Sequence, residues 1–448
     1  MKMSPACRRA LLAGCLLGCI IRATLAQDMD APAPVVLHLT LQDAKTLAVE
    51  HQVTVLAARE QAVETAAHAE ETASRYRPAV DFKTFQVRQT ENLKAMGLNL
   101  PGFPTMIGPF DTFDARVRFT QRVFDLARLR DIDASRYAVD AARLHADATA
   151  QQMAGAAALN YVESLRAQEA VKAAMSNFDL SQSLLMLARD QQSAGLATGV
   201  DVVRAQAVHA RNTLMLRQAR QVASEADTRL HRALGLPMDV PLILVDRLAY
   251  SNAPLPPLAP SIDQALHQRP ELQALEEVVH QRDTERRATL AENYPAVSVM
   301  GDMGSSGVTP THNDYRTYSF GVQMTMPLLE GGAISARQDA AASRMRQAEL
   351  ELRDTRQQVE EDVRLAYIAL QTSLDQIATA ETTLSLSDRL LDQSRDRFKQ
   401  GVADNLELVD AQANLAGAQS AHIDALAAYA MAVINFELSE GRLQYVRP

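Results

Sequence analysis

The residues best placed to do chemistry are three carboxylates at two short turns. Asp201 stands three residues after Thr198, and Glu407 three after Asp404. Each spacing fits a capping box, in which the acid reaches back to the backbone N–H that opens a helix. An acid in a first turn also favours the helix dipole. Asp410 lies one turn further in than Glu407, on the same face and past the capping positions. Arg204 occupies the matching place in the other turn. The chemistry on offer is that of fixed charge, which gathers or repels ions. No catalytic constellation competes with it. The ten histidines are scattered, with no pair four residues apart, and His68 beside Glu70 and Glu71 reads as a solvated helix face. There is no acidic cluster at ligand spacing, no glycine-rich phosphate loop and no nucleophile elbow. The sequence therefore predicts no enzyme, no metal and no cofactor.

The two turns are one turn written twice. Gly195-Leu-Ala-Thr-Gly-Val-Asp-Val-Val-Arg-Ala-Gln206 recurs as Gly401-Val-Ala-Asp-Asn-Leu-Glu-Leu-Val-Asp-Ala-Gln412. At the same spacing Tyr161 matches Tyr367, Arg189 matches Arg395 and Gly235 matches Gly441. Further upstream, Arg77-Pro-Ala-Val80 matches Tyr294-Pro-Ala-Val297. Repeat one runs over 39–235 and repeat two over 261–443. The units are too long for a solenoid. Between them residues 236–260 carry six prolines, which predicts an extended linker.

Each repeat reads as helix, two strands, very long helix, short turn, helix. In repeat one these are Leu41–Arg75, Val80–Val87 with Thr112–Phe124, Arg128–Gln192 and Val200–Leu234. In repeat two they are Asp263–Asn293, Ala296–Met303 with Tyr315–Leu328, Ala333–Phe398 and Asn405–Arg442. The long helix of repeat two carries Val363, Leu370, Ile377, Leu384, Leu391 and Phe398 every seven residues. Ala366, Ser373, Ala380, Ser387 and Ser394 form a second, small-residue register. Repeat one sets Ala167, Ala174, Ser181 and Ala188 against Val171, Phe178 and Leu185. A sustained seven-residue period makes a helix supercoil around a partner, and small residues let the backbones approach.

In the strands, Phe113, Ala115, Val117 and Phe119 alternate with Asp114, Arg116, Arg118 and Thr120. Tyr318, Phe320, Val322 and Met324 alternate with Thr317, Ser319, Gly321 and Gln323. A run of about ten residues suffices to cross a bilayer as a tilted strand. Four strands cannot close a barrel, and open edges cannot face lipid. Either the sheet is soluble and half-buried, or several copies pool their strands.

The N-terminus has a basic start (Lys2, Arg8, Arg9) and an apolar run, Ala10–Ile21, too short to span a membrane. A cleavage site after Ala26 predicts a signal peptide over 1–26; lipoprotein processing at Cys15 or Cys19 is the alternative. All three cysteines fall within the first 19 residues, so cleavage after Ala26 leaves a chain without thiols or disulfides. Residues 1–26 hold four cations and no acid, so their removal takes the formal charge from −9 to −13. An acidic exported chain does not suit nucleic acid.

The duplication, the Tyr294-Pro-Ala-Val entry to a strand, the junction Met326-Pro-Leu-Leu-Glu-Gly-Gly332 and the turn Phe398-Lys-Gln-Gly-Val402 together resemble the TolC-like outer-membrane efflux proteins. Repeat one departs at its own junction, where Thr120-Gln-Arg-Val-Phe-Asp125 lacks the proline and the glycine pair. The resemblance implies a mainly α fold with a small β part. Long antiparallel coiled-coil helices would form an α-barrel, and four strands per chain would enter a homotrimeric twelve-stranded transmembrane β-barrel. It implies an outer-membrane channel extending into the periplasm, a passive exit duct opened by a periplasmic adaptor and an inner-membrane pump. Phe113, Val117, Phe119, Tyr318, Phe320, Val322 and Met324 would then face lipid. Asp410, Glu407, Asp201 and Arg204 would stand at the periplasmic mouth, with Arg204 available to pair with Asp410 or Glu407. Some relatives carry a Tyr and an Arg in this turn as a latch; Phe398 and Ala403 stand there instead. The alternative is a soluble periplasmic coiled-coil adaptor or scaffold. It would carry one hairpin flanked by compact β domains, and this chain has two hairpins and none.

Overall fold

A computed structural model describes residues 36–97, 101, 102, 104–251, 254–400, 402 and 405–443. The expected signal segment with Cys15 and Cys19 lies outside them, as do Gly401, Ala403 and Asp404. The chain divides into two units. The smaller contains strand β1 (Leu37–Leu39), which pairs in parallel with β4 (Leu242–Leu244). Neither strand is visible in the alternation pattern, since each has only three residues. Within the proline-rich stretch 236–260, residues 242–244 form β4 and a helix begins at Leu258.

In the larger unit the first helical stretch is two helices, α1 (Leu41–His51) and α2 (Val53–Ser74). Its counterpart is likewise two, α5 (Leu258–Gln268) and α6 (Pro270–Ala291). This corrects the single helices expected at both places. Gln52 and Arg269, the joints, share nearly the same extended backbone (φ −68, ψ 122 and φ −69, ψ 120). Pro270 accounts for the second joint, because the residue before a proline avoids the helical region. The duplicated glycines account for the pair. Gly235 and Gly441 both have positive φ, and each lies against the joint of its own repeat. A Cβ on Gly235 would stand 2.6 Å from the His51 carbonyl oxygen; one on Gly441 would stand 3.2 Å from the Arg269 nitrogen.

Strands β2 (Ala79–Asn92), β3 (Met106–Phe124), β5 (Ala296–Gly307) and β6 (Tyr315–Thr325) form one antiparallel sheet in the order β2-β3-β5-β6. From it run α3 (Leu126–Ser193) and α7 (Ala333–Lys399), which turn back into α4 (Gly199–Leu234) and α8 (Asn405–Ser439). At 67 residues α7 is about 100 Å long, from a rise of 1.5 Å per residue.

The heptad registers are the packing faces. Val363, Leu370, Ile377, Leu391 and Phe398 are buried, as are Ser373, Ala380 and Ser394 of the small register. In α3 the small register buries Ala167, Ser181 and Ala188. The serines cost little there, because Ser373 and Ser181 donate to the carbonyls of Leu370 (2.7 Å) and Phe178 (2.8 Å) in their own helices. α3 packs on α4 and on α8, and α8 packs on α7, giving a row α4-α3-α8-α7. Leu184 of α3 joins Leu391, Phe398, Leu408, Ala411 and Leu415 in the cluster that ties the two hairpins together near their turns.

Candidate functional site

The sheet has two chemically different faces. Register places Val80, Phe119, Gly301 and Phe320 in one row, Phe82, Val117, Met303 and Tyr318 in the next, and Val299 beside Val322. These side chains share a face, and most are exposed, Tyr318 at 84% and Phe320 at 75%. Val117, Val322 and Met324 are exposed as well, whereas Phe113 and Phe119 are half-buried. The sequence reading found the β3 and β6 members of this face but not Val80, Phe82 or Met303. In β5 glycines and serines blur the alternation, and in β2 the apolar phase slips between Phe82 and Phe85. Gln121 stands in the row of Val299 and Val322, but the face is otherwise apolar over these rows, and an exposed apolar face of this kind marks a contact with protein or membrane.

The opposite face carries a paired polar network at its centre, with Arg118, unpaired among the described residues, beside it and Phe85 and Val87 further along. Arg116 donates Nε to Asp114 Oδ1 at 2.6 Å and Nη1 to Asp302 Oδ1 at 2.8 Å, with a second bond from Nη2 to Asp114 Oδ2. Ser319 donates its hydroxyl to Asp302. Asp114 is only 7% exposed, covered in part by this guanidinium. Arg116 links β3 to β5, and Ser319 extends the network to β6, so three of the four strands are joined. Among the described residues, the outer edges of β2 and β6 have no strand partner.

At the far ends of the long helices the four charged residues fall into two groups. Thr198 donates its backbone N–H (2.9 Å) and its hydroxyl (2.6 Å) to Asp201 Oδ2, the capping contact expected from the spacing. The hydroxyl, then the N–H, then the charge of Arg204 hold the Asp201 carboxyl below the usual carboxylate range. Arg204 Nη1 sits 3.6 Å from Asp201 Oδ1, in its own helix. Within the chain it therefore does not pair with Asp410 or Glu407: α3 stands between α4 and α8. Glu407 instead accepts from Arg397 Nη1 of α7 at 3.0 Å and from the Ser394 hydroxyl at 3.3 Å. Asp404, its expected capping partner, lies outside the described residues. Asp410 is exposed and has no ion pair or hydrogen bond among the described residues. Sequence reading missed Arg397 and Ser394. Ser394 was legible only as a small seam residue, and Arg397 precedes the seam residue Phe398 without any mark of its own.

Among the described residues no group of three or more His, Cys, Asp or Glu is placed to hold a metal, and no helix is long and apolar enough to cross a membrane.

The fold is similar to that of solved outer-membrane proteins. One is the CmeC channel of Campylobacter jejuni, with a TM-score of 0.78 at 16% identity, covering 90% of this chain and 85% of that one. Another is VceC of Vibrio cholerae, with a TM-score of 0.76 at 16% identity over 90% and 96%. In sequence the chain is 26% identical over 265 residues to the alkaline protease secretion protein AprF of Pseudomonas aeruginosa, covering 58% of this chain and 55% of AprF. It is 23% identical over 323 residues to nodulation protein T of Rhizobium leguminosarum bv. trifolii, covering 70% and 68%. The chain thus spans between about half and two thirds of the length of these relatives. The family model described as outer membrane efflux protein matches residues 43–236 and 261–442, one segment for each repeat. The chain belongs to the outer membrane efflux protein family.

Proposed function

We propose that this protein is the outer-membrane duct of a tripartite export system, and that three copies complete it. The observation that carries this reading is the sheet: an exposed apolar face, an opposite face with a paired polar network at its centre, and two unpaired edges, β2 and β6. Edges of that kind are tolerated in a bilayer only when another strand closes them. Three copies, each setting β6 against the next copy's β2, give twelve strands with lipid outside and the Asp114–Arg116–Asp302 network lining water. The same closure sets the outer helices of each row, α4 and α7, against those of neighbouring copies and continues the wall as a helical tunnel. Energy enters elsewhere. A periplasmic adaptor and an inner-membrane pump deliver cargo, as the names of relatives associated with secretion and efflux suggest for those proteins.

At the mouth, rotational symmetry gathers Asp410 from every copy, with Glu407 and Asp201 as further acids and Arg204 tied to Asp201. Like charges around a narrow pore favour cations. The test is reconstitution of the purified protein in planar bilayers alongside native mass measurement. A trimer with discrete, cation-favouring conductance is expected. A monomer without conductance refutes the duct.

A further inference from the structure

The two repeats differ where strand becomes helix. In repeat one the passage is direct: β3 ends at Phe124, Asp125 accepts from the Arg128 N–H at 3.1 Å as cap, and α3 starts at Leu126. In repeat two, β6 ends at Thr325, and the chain makes an extra turn over Met326–Gly332 before α7. Leu328 and Leu329 at its crown are 89% and 90% exposed, the two most exposed large apolar side chains described. Pro327 ends the strand, and Gly331 and Gly332 close the turn with positive φ. Its base is clamped. Ala333 N–H donates to the Glu330 carbonyl at 3.0 Å, and Arg337 of α7 bonds Glu330 at 2.9 Å and Glu292, just after α6, at 2.8 Å. A turn held so firmly by its polar residues presents two leucines to the surroundings at a cost that burial would have to offset.

We infer that this turn is a membrane-surface anchor, its two leucines seated at the boundary between headgroups and acyl chains in the leaflet at the foot of the barrel. The inference rests on the barrel reading above. The apolar face of the sheet ends in a row of Phe124, Val297 and Met324. The turn continues that face directly, through exposed Met326 to Leu328 and Leu329. Tyr294, at the end of α6 and beside Pro327 in the same cleft, is exposed too and has the amphipathic ring favoured at such a boundary. The Arg337–Glu330 and Arg337–Glu292 pairs lie on the helix side, where water and headgroups solvate them. One anchor per chain gives a duct of three copies three fixed points that set its depth.

The chain has no tryptophan and ten tyrosines, so Leu328→Trp in the full-length protein introduces a sole indole that is excited selectively, at the red edge of absorption where tyrosine does not absorb. In phospholipid vesicles its emission is expected to be blue-shifted relative to water. It should lose most of its intensity when the lipids carry bromine near the glycerol end of the chains, lose less with bromine at the chain ends, and resist iodide. Leu329→Trp serves if the first variant assembles poorly. Val322→Trp, on the sheet's apolar face, is the control and should be quenched by mid-chain bromine. If that control is not quenched, the barrel reading itself fails. If it is quenched, quenching of the turn by iodide alone puts the leucines in water and overturns the anchor. Blue-shifted emission indifferent to both bromine and iodide puts them under a neighbouring copy and overturns it as well.

Discussion

Three substitutions in the sheet separate the membrane assignment from a soluble half-buried sheet. Val322 sits mid-strand on the apolar face, opposite Val299 and exposed in the single chain. An arginine there at bilayer mid-plane costs about 2–4 kcal/mol in each copy. At about 1.4 kcal/mol per factor of ten, the assembled fraction should fall by more than tenfold. Arg116 and Arg118 lie on the other face, yet they are not equivalent. Arg118 makes no ion pair among the described residues, so Arg118→Val should be nearly silent. Arg116→Val removes the only guanidinium bonded to Asp114 and Asp302 among the described residues. Stranding a poorly exposed polar group costs about 1–3 kcal/mol. The face opens on water, which screens the loss, so the lower end of that range applies. Adding Asp114→Asn to Arg116→Val should recover part of it. The assay is the fraction of purified protein that migrates as a compact oligomer before heating and as a monomer after it, together with the temperature of that change. The expected order of damage is Val322→Arg, then Arg116→Val, then Arg118→Val. If Arg118→Val is as damaging as Val322→Arg, both faces are alike and the sheet does not span a membrane.

The helical part and the mouth offer further tests. Gly235→Ala should destabilise far more than Gly195→Ala: both have positive φ, which costs a side chain about 1–2 kcal/mol, but only Gly235 also drives its Cβ into the His51 carbonyl. Equal melting shifts would show that the joint does not need the glycine. Ala380→Leu overfills the α7–α8 seam beside Ile377 and Ala425, at about 1–3 kcal/mol; an unchanged oligomer yield and melting temperature would mean that the seam is misassigned. Asp410→Asn should lower cation selectivity and relieve block by multivalent cations in planar bilayers, and no change in either would make Asp410 a solvated helix residue. For Asp201 the folded carboxyl titrates below its unfolded value. Its contribution to the start of α4 is therefore complete above the unfolded range, near pH 4, and is lost as pH falls through the lower folded value. Amide protection at Val200–Val203 should drop in acid, and drop less in Asp201→Asn; protection independent of pH down to the unfolding of the whole chain would refute it.

What the sequence disclosed and what it withheld follow from the range of each interaction. Periodic burial is local and repeated, so the seven-residue registers of α7 and the two-residue alternation of β3 and β6 were legible along the chain. Asp201 was legible because its partner Thr198 is three residues away. Symmetry between repeats pointed Arg204 toward the acids of α8, and within the chain its near partner is Asp201, one turn back on its own helix. The joints at Gln52 and Arg269 were hidden for a related reason. Nothing in His51-Gln52-Val53 breaks a helix; what meets the joint is the turn at Gly235, about 180 residues later, packed so close that a Cβ there would strike the His51 carbonyl. Pro270 did carry a local signal, and the 206-residue match of Gly235 to Gly441 carried the other half. Read jointly, a proline-marked joint in one repeat and a shared glycine in both imply a joint in the other. The duplication is thus more than a guide to ancestry. A feature forced in one copy by a residue visible in the sequence can be carried to its twin wherever the contacting residue is also duplicated. The strand-to-helix junction fails that condition, because repeat one lacks the proline and both glycines, and there the two copies build different structures.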